Sequence, residues 1–525
     1  MKNRMNELIQ ITIVFAMVVG AMVAIDRRTG MFSIPFRVLL GGIKGVLGIF
    51  GVFYPIFRFV FRLLFNSKKK EGASFLNKRE SHKLFGKNRG GVLIDGHKRR
   101  LSAKDAFAGI AVISPSGSGK TTVFVLPNVF TLAKEGHSMI ITDISGEIYQ
   151  STSGYLGKQG YDIQVLNLGN LDQGLKYNPL ANIQSYSDAA GLAHVLIKSA
   201  NPKGYEKDPM WFNGAENILT VLITTLQAIN DPELLHLPNV LRLLQQMGQG
   251  QGKIFEDFLA KHAPESAWNL FFQLKEGNEK MFQSYYSIAA NSLGFLNDPQ
   301  LAQIFTRNEL YFSALRQRKT ALFLTLPANK LSQYSVIINI AYTQLFTFLM
   351  SKYPLSSQDK SVYVIGDEWG HTAVPNFSVI CTNIRKYQVS ISIILQSENQ
   401  LSSHYSISDA KTILEGGMAS KLFYSGLDTE TAKRVEAMLG KEISFQGRHN
   451  DIYREKNLLN ADGIRTLGNN EAIFITTNKK PALFTDTKYC FKHPKFKRFM
   501  KMTPVPQPQI LPERIRFITL GQDGF

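Results

Sequence analysis

A glycine-rich loop between an apolar run and a helical pattern constrains this chain more than any other feature. Residues 107–113 have the apolar composition of a buried strand, and residues 114–122 follow as Ser-Pro-Ser-Gly-Ser-Gly-Lys-Thr-Thr. Gly117 and Gly119 can take backbone angles that are closed to other residues, so consecutive amides can point at phosphate oxygens where a helix N-terminus adds positive potential. The loop therefore predicts a nucleoside triphosphate site at the edge of an α/β sheet.

The positions of this phosphate loop have separate expected roles. Lys120 is expected to reach the terminal phosphates and Thr121 to hold Mg²⁺. The pattern G-x-x-x-x-G-K-[ST] is matched at its catalytic end, whereas Ser114 stands where the pattern has its first glycine. A flexible Gly/Ser turn before a helix is the alternative interpretation. The residues expected to bind the nucleotide are Ser116, Gly117, Ser118, Gly119, Lys120, Thr121 and Thr122.

A second chemical signal is a hydrophobic strand that ends in adjacent carboxylates. Residues 362–365 read Val-Tyr-Val-Ile, and Gly366, Asp367 and Glu368 follow them. Asp367 is expected to hold Mg²⁺ through its water shell and Glu368 to polarise the attacking water, as in ATP hydrolysis. Taken alone, such a pair can equally be solvated. Together with the phosphate loop it favours an ATPase.

A third strand pattern also ends in a polar side chain. Residues 389–395 form a β-branched run that is followed by Gln396 and Ser397. In a parallel sheet this end faces the same crevice as the phosphate loop, so Gln396 is expected to contact the terminal phosphate or the attacking water. Capping of the next helix is the alternative. Arg385 lies on a predicted helix before this strand, where it is either a surface cation or a finger that reaches the nucleotide of a neighbouring subunit.

The order of the patterns predicts one α/β domain with an all-α insertion. Alternating strands and helices indicate a mostly parallel sheet covered on both faces, and residues 182–309 change to apolar residues at helical spacing. The predicted divisions are a transmembrane hairpin (1–65), a basic membrane-proximal segment (66–104), a nucleotide-binding domain in two parts (105–181 and 310–490), the insertion (182–309) and a C-terminal tail (491–525).

The N-terminal residues have the composition of membrane-spanning segments. Residues 8–25 and 38–61 are apolar stretches near the ~20 residues that cross a bilayer, with an interfacial amphipathic helix as the alternative for the second stretch. Residues 66–104 hold twelve basic and three acidic side chains, which places the rest of the chain in the cytoplasm by the positive-inside tendency. The positive charge of this cluster is expected to bind anionic lipid headgroups, and a nucleic-acid backbone is the alternative partner.

The two cysteines exclude two classes of protein. Cys381 and Cys490 are far apart in the sequence and lack the spacing of metal ligands. Neither a disulfide framework nor a zinc site is therefore expected, and a reducing compartment fits.

In this order the motifs resemble those of the type IV secretion system coupling proteins, the TraG/TraD-like membrane ATPases of conjugation, over nearly the whole chain. Residues 143–149, Asp-Ile-Ser-Gly-Glu-Ile-Tyr, are similar to the family's D-P-K-G-E-L-Y. The other landmarks are the two membrane segments, Gly117 to Thr121, Asn178-Pro179-Leu180, Trp211 at the start of the insertion, Asp367-Glu368, Gln396-Ser397, and Asp428-Thr429-Glu430-Thr431-Ala432 leading to Leu439-Gly440.

The resemblance implies a RecA-like motor domain with an inserted all-helical domain, assembled as a homohexamer on the bacterial inner membrane. ATP hydrolysis would drive DNA, bound largely without regard to sequence, or a relaxase or protein effectors toward the type IV secretion channel. By position Arg385 resembles the family's arginine finger. The chain departs from the family at Ser114 and at Ile144-Ser145, where Pro-Lys would supply a cation near the nucleotide.

Two other functions are open on this reasoning. The first is a docking receptor for protein effectors whose nucleotide site mainly supports assembly. The second is a DNA translocase of the FtsK kind, against which the long helical insertion between Lys120 and Asp367 argues.

Overall fold

The computed structural model describes residues 72–86, 89–248, 252–354, 359–446 and 452–521. These residues divide by their contacts into a larger unit, residues 73–441 and 456–521, and a smaller one that holds residues 72, 442–446 and 452–455. The two predicted membrane-spanning helices lie outside the described residues.

Thirteen strands form three sheets in the described residues. They are β1 Gly90–Leu93, β2 Arg100–Ser102, β3 Ile110–Ile113, β4 Ser138–Ile144, β5 Asp162–Asn167, β6 Thr320–Leu326, β7 Val362–Gly366, β8 Val389–Leu395, β9 Ser420–Tyr424, β10 Lys441–Gln446, β11 Ile452–Asn457, β12 Ala472–Thr476 and β13 Ala482–Phe484. Two of the sheets are the pairs β1-β2 and β10-β11.

The third sheet has nine strands in the order β13-β12-β9-β3-β8-β7-β4-β6-β5. The strands from β9 to β5 run parallel, while β12 and β13 are added antiparallel at one edge. The predicted parallel sheet is thus confirmed. Strand β8 lies between β3, which precedes the phosphate loop, and β7, which precedes the acidic pair, so three strand ends of chemical interest are consecutive along one edge.

Twenty α-helices accompany these sheets in the described residues. In the first α/β part they are α1 Lys78–Leu84, α2 Ala103–Ala106, α3 Leu126–Glu135 and α4 Glu147–Lys158. Between β5 and β6 lie α5 Tyr186–Ala200, α6 Pro202–Lys207, α7 Pro209–Ile229, α8 Leu237–Gly248, α9 Gly252–His262, α10 Glu265–Glu276, α11 Glu279–Ser292, α12 Pro299–Ile304 and α13 Ala314–Gln317. The remaining helices are α14 Leu331–Ser351, α15 Phe377–Asn383, α16 Asn399–Ser402, α17 Ile407–Lys411, α18 Thr429–Leu439, α19 Ala461–Arg465 and α20 Pro494–Met500.

The helices between β5 and β6 surround one long apolar helix. Helix α7 begins with a proline at its first turn, which suits a helix start because proline has no amide hydrogen to satisfy there. Helices α5, α10 and α11 pack against it, and α14 packs in turn against α5. The insertion therefore shares its core with one face of the sheet.

The two faces of the sheet bury separate hydrophobic clusters. On β6, Leu322 and Leu324 belong to the cluster shared with the insertion, while Ala321 and Phe323 belong to the cluster beneath α3 and α4. This alternation follows from the period of two along a strand. All seven residues of β6 are buried, as expected for a parallel strand covered on both sides.

One described segment is long and apolar enough to cross a membrane by length and composition. It is Ala328–Ser351, which contains α14, and 61% of its most apolar window is buried within the protein. Its burial against the sheet is that of a core helix.

The last described residues, 501–521, form an extended segment that we call the C-terminal strap. It first follows α4, where the Val505 amide donates to Ser153 Oγ at 3.2 Å and the Tyr149 hydroxyl donates to the Val505 carbonyl at 2.8 Å. It then runs beside the loop that follows β5, where the Ile510 amide donates to the Asp172 carbonyl at 2.8 Å. The strap thereby joins the α/β part to the insertion.

Two buried amides on α8 hold the end of the strap. Asn239 donates to the Arg516 carbonyl at 3.2 Å and accepts from the Ile518 amide at 3.0 Å. Gln246 donates to the Ile518 carbonyl at 2.9 Å and accepts from the Leu520 amide at 2.8 Å. The Ile518 side chain is fully buried. These bonds satisfy strap backbone groups that would otherwise be buried without partners.

A buried histidine makes this junction sensitive to pH. His236 Nε2 lies 3.2 Å from the Arg516 carbonyl, and the Asn239 amide donates to His236 Nδ1 at 3.2 Å, so the ring must be neutral. Burial lowers the pKa of His236 from 6.5 to about 4. A lowered histidine pKa gives stability that is complete above pH 6.5 and is lost as the pH falls toward 4.

Acidification should therefore destabilise the wild type more than a His236→Gln variant. Between pH 7.5 and pH 5.0 we expect the unfolding free energy of the wild type to fall by about 2 kcal/mol more than that of the variant. Urea denaturation at both pH values measures the difference. His82→Gln, which changes an exposed histidine on α1, should keep the wild-type response. Equal losses in the wild type and His236→Gln would contradict the assignment.

Candidate active site

The phosphate loop connects β3 to a helix, as its sequence predicts. A π-helical turn, Thr121–Val125, opens that helix and continues into α3. Gly117 has φ of 80° and Gly119 has φ of 88°, in the left-handed region that favours glycine. The Val123 amide donates to the Gly119 carbonyl at 2.8 Å, so the helical hydrogen bonding starts at the loop itself. Both glycines thus take the backbone angles that the sequence predicts, and phosphate binding by the loop amides stays a prediction.

Ser114 fits the first position of the loop without a left-handed backbone. It is fully buried, and its amide donates to the Leu395 carbonyl of β8 at 2.9 Å. Its hydroxyl pairs with that of Ser118, which also donates to the Pro115 carbonyl at 2.6 Å. Hydrogen bonds of the two serine hydroxyls therefore stabilise the start of the loop.

Lys120, Glu368 and Gln396 meet at the carboxyl edge of the sheet. Lys120 Nζ lies 2.5 Å from Glu368 Oε1, and the two side chains are 9% and 16% exposed. Gln396 Nε2 donates to Glu368 Oε2 at 2.9 Å. Each carboxylate oxygen of Glu368 thus has one partner. One is Lys120 from the phosphate loop after β3, and the other is Gln396 from the end of β8.

Asp367 is buried beside this cluster with one oxygen unpaired. It is 7% exposed, and its Oδ1 has no hydrogen-bond partner. Burial, followed by repulsion from Glu368, raises the pKa of Asp367 to about 6, although Lys120 and the Thr121 hydroxyl act in the opposite direction. A buried, unpaired carboxylate oxygen next to a threonine hydroxyl suits a hard divalent cation such as Mg²⁺. Asp367 and Thr121 therefore fit the metal role expected of them.

A buried tryptophan explains the glycine before the acidic pair. The ring of Trp369 is fully buried, and its centroid lies 4.9 Å from that of Tyr342 and 4.9 Å from that of Phe377. A Cβ on Gly366 would lie 2.3 Å from Trp369 Cε3. Glu368, between them, has φ of 53° and begins a 3₁₀ turn, Trp369–His371. The absent side chain at Gly366 thus lets the chain turn sharply after β7.

Asp143, from the neighbouring strand β4, adds a further buried carboxylate. Its oxygens accept from the Ile148 amide at 3.0 Å and the Tyr149 amide at 2.7 Å, which holds the start of α4. Burial raises the pKa of Asp143 to about 6, and the charge of Asp367 adds to this rise. Ser145, where the family has lysine, has φ of 73°. Asp143 is therefore placed to cap the N-terminus of α4.

Arg385 is not brought to this cluster within one chain. It lies exposed on a 3₁₀ turn, Ile384–Tyr387, just before β8. Gln396 follows the other end of the same seven-residue strand, ~20 Å away at about 3.3 Å per residue. Both alternatives predicted for Arg385, a surface cation and a group that acts on another subunit, are compatible with this position.

An ion pair that the sequence did not predict joins the buried Glu398, just beyond Gln396, to the partly exposed Arg434. Glu398 is 5% exposed in its side chain and lies 2.7 Å from Arg434 of α18. Burial raises the pKa of Glu398, and Arg434 opposes this rise. The neighbouring Asn399 donates to Glu430 at 2.9 Å, also on α18. The end of β8 is thus tied to the helix that carries the Asp428 motif, a contact for which the local sequence gives no signal.

Together these groups have the chemistry that hydrolysis of a phosphoanhydride would require. The loop amides and Lys120 would supply positive potential for phosphates, Asp367 a ligand for a divalent cation, and Glu368 a base beside Gln396. Among the described residues no group of three or more His, Cys, Asp or Glu side chains forms a separate metal cluster.

Comparison with known families gives one match over most of the chain. Residues 66–513 match the model of the family described as Type IV secretory system Conjugative DNA transfer. This range includes the phosphate loop, the insertion and the acidic pair.

Curated relatives are similar at low identity. Protein VirD4 of Rhizobium radiobacter is 23% identical over 427 residues, which cover 76% of this chain and 60% of that protein. Conjugal transfer protein TraG of Escherichia coli is 23% identical over 262 residues, which cover 46% of this chain and 40% of that protein. The matched region of this chain therefore spans less than two thirds of these relatives.

Solved structures share the fold. The bacterial conjugative coupling protein TrwBdeltaN70, in complex with sulphate, superposes with a TM-score of 0.64 at 18% identity and covers 79% of this chain and 94% of its own. Plasmid coupling protein TrwB in complex with ADP and Mg²⁺ gives a TM-score of 0.64 at 18% identity, over 80% of this chain and 93% of that one. At this identity the similarity establishes the α/β fold.

Substitution at Gly366 should test how the acidic pair is held. In Gly366→Ala the new methyl group would overlap the buried Trp369 ring, so we expect a loss of about 1–3 kcal/mol in unfolding free energy. The loss should be smaller by at least about 1 kcal/mol when it is measured in a Trp369→Leu background. Urea denaturation of the two single variants and the double variant gives this coupling energy.

Gly191→Ala is the matched control, because a Cβ at this exposed position of α5 meets nothing within 4 Å. It should be neutral or slightly stabilising. A Gly366→Ala loss that is unchanged by Trp369→Leu would contradict the steric explanation.

Proposed function

The chain belongs to the Type IV secretory system Conjugative DNA transfer family of coupling proteins, and on this basis we propose that it is an ATPase that drives cargo to a type IV secretion channel. The observation that supports the ATPase most directly is the cluster of Lys120, Glu368 and Gln396 at the mouth of the phosphate loop. Its substrate is Mg²⁺-bound ATP.

Nucleotide binding would require Lys120 to exchange Glu368 for the phosphates as its partner. Lys120 neutralises Glu368 in the structure described here, and a nucleotide in the loop would offer it the phosphates instead. Glu368 would then be free to accept a proton from the attacking water, oriented by its remaining bond to Gln396. Thr121 and Asp367 would hold Mg²⁺, which supplies charge neutralisation of the phosphates.

The residues that follow β8 connect the nucleotide site to helix α18. Gln396 contacts Glu368, and two residues later Glu398 contacts Arg434 on α18. If hydrolysis changes the hydrogen bonding of Gln396, we therefore expect α18 to move. We assign Gln396 the role of reporting hydrolysis along this path.

Membership of the family supports a proposal for the cargo and the assembly. We propose DNA, bound largely without regard to sequence, or a relaxase or effector protein as the cargo, with secretion-channel components as partners. The proposed assembly is a homohexamer at the bacterial inner membrane, anchored by residues 1–65 and 66–104, with the nucleotide-binding parts (105–181 and 310–490), the insertion (182–309) and the tail (491–525) in the cytoplasm.

Hydrolysis by the full-length protein in detergent micelles tests the proposal. The wild type should release phosphate from ATP, and added DNA should accelerate release. Lys120→Ala should abolish hydrolysis because the phosphates lose their cation, and Glu368→Gln should slow it about 100-fold or more while ATP still binds. Lys134→Ala, an exposed lysine on α3, should behave as the wild type.

Hydrolysis that persists unchanged in Lys120→Ala would rule out this site as a motor. Cargo export that continues in Glu368→Gln would instead favour the effector-docking receptor, in which the nucleotide site mainly supports assembly.

A mixing experiment tests whether Arg385 acts on a neighbouring subunit. Arg385→Ala alone should hydrolyse ATP at least about 1000-fold more slowly if it supplies an arginine finger. Oligomers mixed from Arg385→Ala and Glu368→Gln subunits should regain part of the activity, because some interfaces then combine an intact Glu368 with an intact Arg385. Lys386→Ala, also exposed, is the control and should hydrolyse ATP at the wild-type rate. Full activity of unmixed Arg385→Ala, or no recovery on mixing, would rule out the finger.

A further inference from the structure

Two aromatic residues after the last strand of the large sheet form a stacked pair. The ring centroids of Tyr489 and Phe491 lie 5.3 Å apart with an interplanar angle of 18°. Tyr489 is partly buried, while Phe491 is 47% exposed. Lys492 Nζ lies 5.3 Å from the centroid of the Tyr489 ring. The two rings and the Lys492 side chain thus form a partly exposed aromatic surface with a cation beside it.

The pair lies directly against the phosphate loop. A Cβ on Gly119 would be 2.5 Å from Tyr489 Cε1 and 3.3 Å from Thr122 Oγ1. The ring therefore occupies the space beside Gly119 that another residue's side chain would take. In this loop Thr122 is the position after the lysine and threonine that serve the terminal phosphates and Mg²⁺.

The segment that carries the pair is fixed to the sheet. The Thr487 amide donates to the Asn470 carbonyl at 2.9 Å, and the Lys488 amide donates to the Asp95 carbonyl at 2.9 Å. Cys490, between the two aromatic residues, is fully buried. The rings are therefore presented by a rigid backbone, which reduces the entropy that ordering them on a ligand would cost.

The order of strands gives the direction in which a nucleotide would lie. Lys120 points from the end of β3 toward Glu368 at the end of β7, two strands to one side. Tyr489 follows β13, which lies on the other side of β3. With the terminal phosphates at Lys120, the ribose and the base extend toward Tyr489.

We propose that Tyr489 and Phe491 form the base-binding surface of the nucleotide site, on which the base of a purine nucleoside triphosphate stacks. Aromatic rings bind bases through their π faces, and the larger purine covers more of such a surface than a pyrimidine does. This inference rests on the proposed nucleotide site and adds the residues that hold the base. The bound base would then cover the exposed part of the Phe491 ring.

Competition between ATP and inorganic tripolyphosphate separates base binding from phosphate binding. Binding to the full-length protein is measured with Mg²⁺ present for the wild type, Phe491→Ala and Tyr489→Leu. We expect at least one of the two variants to bind ATP about tenfold or more weakly, while the affinity for tripolyphosphate stays at the wild-type value. The wild type should also bind ATP more tightly than CTP, and the affected variant should lose this preference.

Tyr353→Ala is the matched control, because Tyr353 is another exposed ring in a stacked pair, 4.5 Å from the centroid of Tyr387. It should bind both ligands as the wild type does. A Phe491→Trp variant gives an independent signal, since stacking of ATP should quench its fluorescence and tripolyphosphate should not.

The outcomes separate this inference from the proposed function. If the wild type binds neither ligand, or if Lys120→Ala leaves both affinities unchanged, the proposed nucleotide site is itself overturned. If the wild type binds ATP but both Phe491→Ala and Tyr489→Leu bind it equally well, the base lies elsewhere and only the inference is overturned. Equal losses of ATP and tripolyphosphate affinity would also overturn it, because they would mean that the rings only shape the loop.

Discussion

A buried ammonium and its carboxylate partner bridge two strands that do not pair with each other. Strands β3 and β7 are separated by β8, and the phosphate loop that follows β3 brings Lys120 to Glu368 at the end of β7. Gln396, at the end of that middle strand, then reaches the other oxygen of the carboxylate. Buried charges are tolerated when they are paired, and here the pairing is between two groups that catalysis would use separately. The contact with Glu368 thus compensates the burial of the Lys120 ammonium group.

Much of the α/β framework could be predicted because its signals are local. The strand Val389–Leu395 and the resumption of the sheet at Thr320 agree with the sequence patterns, since parallel strands buried on both faces read as apolar runs that end at polar residues. The positive φ angles of Gly117 and Gly119 were likewise implied by composition and order. Functional side chains at strand ends could be grouped because parallel strands share one carboxyl edge.

The features that could not be predicted depend on the folded chain, through either a local turn or a partner far along the sequence. Nothing near Gly366 indicates that Trp369 fills its side-chain space, because that requires the turn at Glu368. The order of the nine strands, with β8 between β3 and β7, is a property of the whole sheet. The ion pair of Glu398 with Arg434 and the contact of Tyr489 with Gly119 join segments whose separation leaves no periodic signal.

The C-terminal strap has a consequence for the timing of folding on the ribosome. The core of the insertion includes Ile518, and the buried amides of Asn239 and Gln246 have the strap backbone as partners. Synthesis passes α8 well before it reaches Ile518, so over that interval the growing chain carries a hydrophobic groove that the strap has not yet filled. Completion of the groove must therefore wait until the strap has been made.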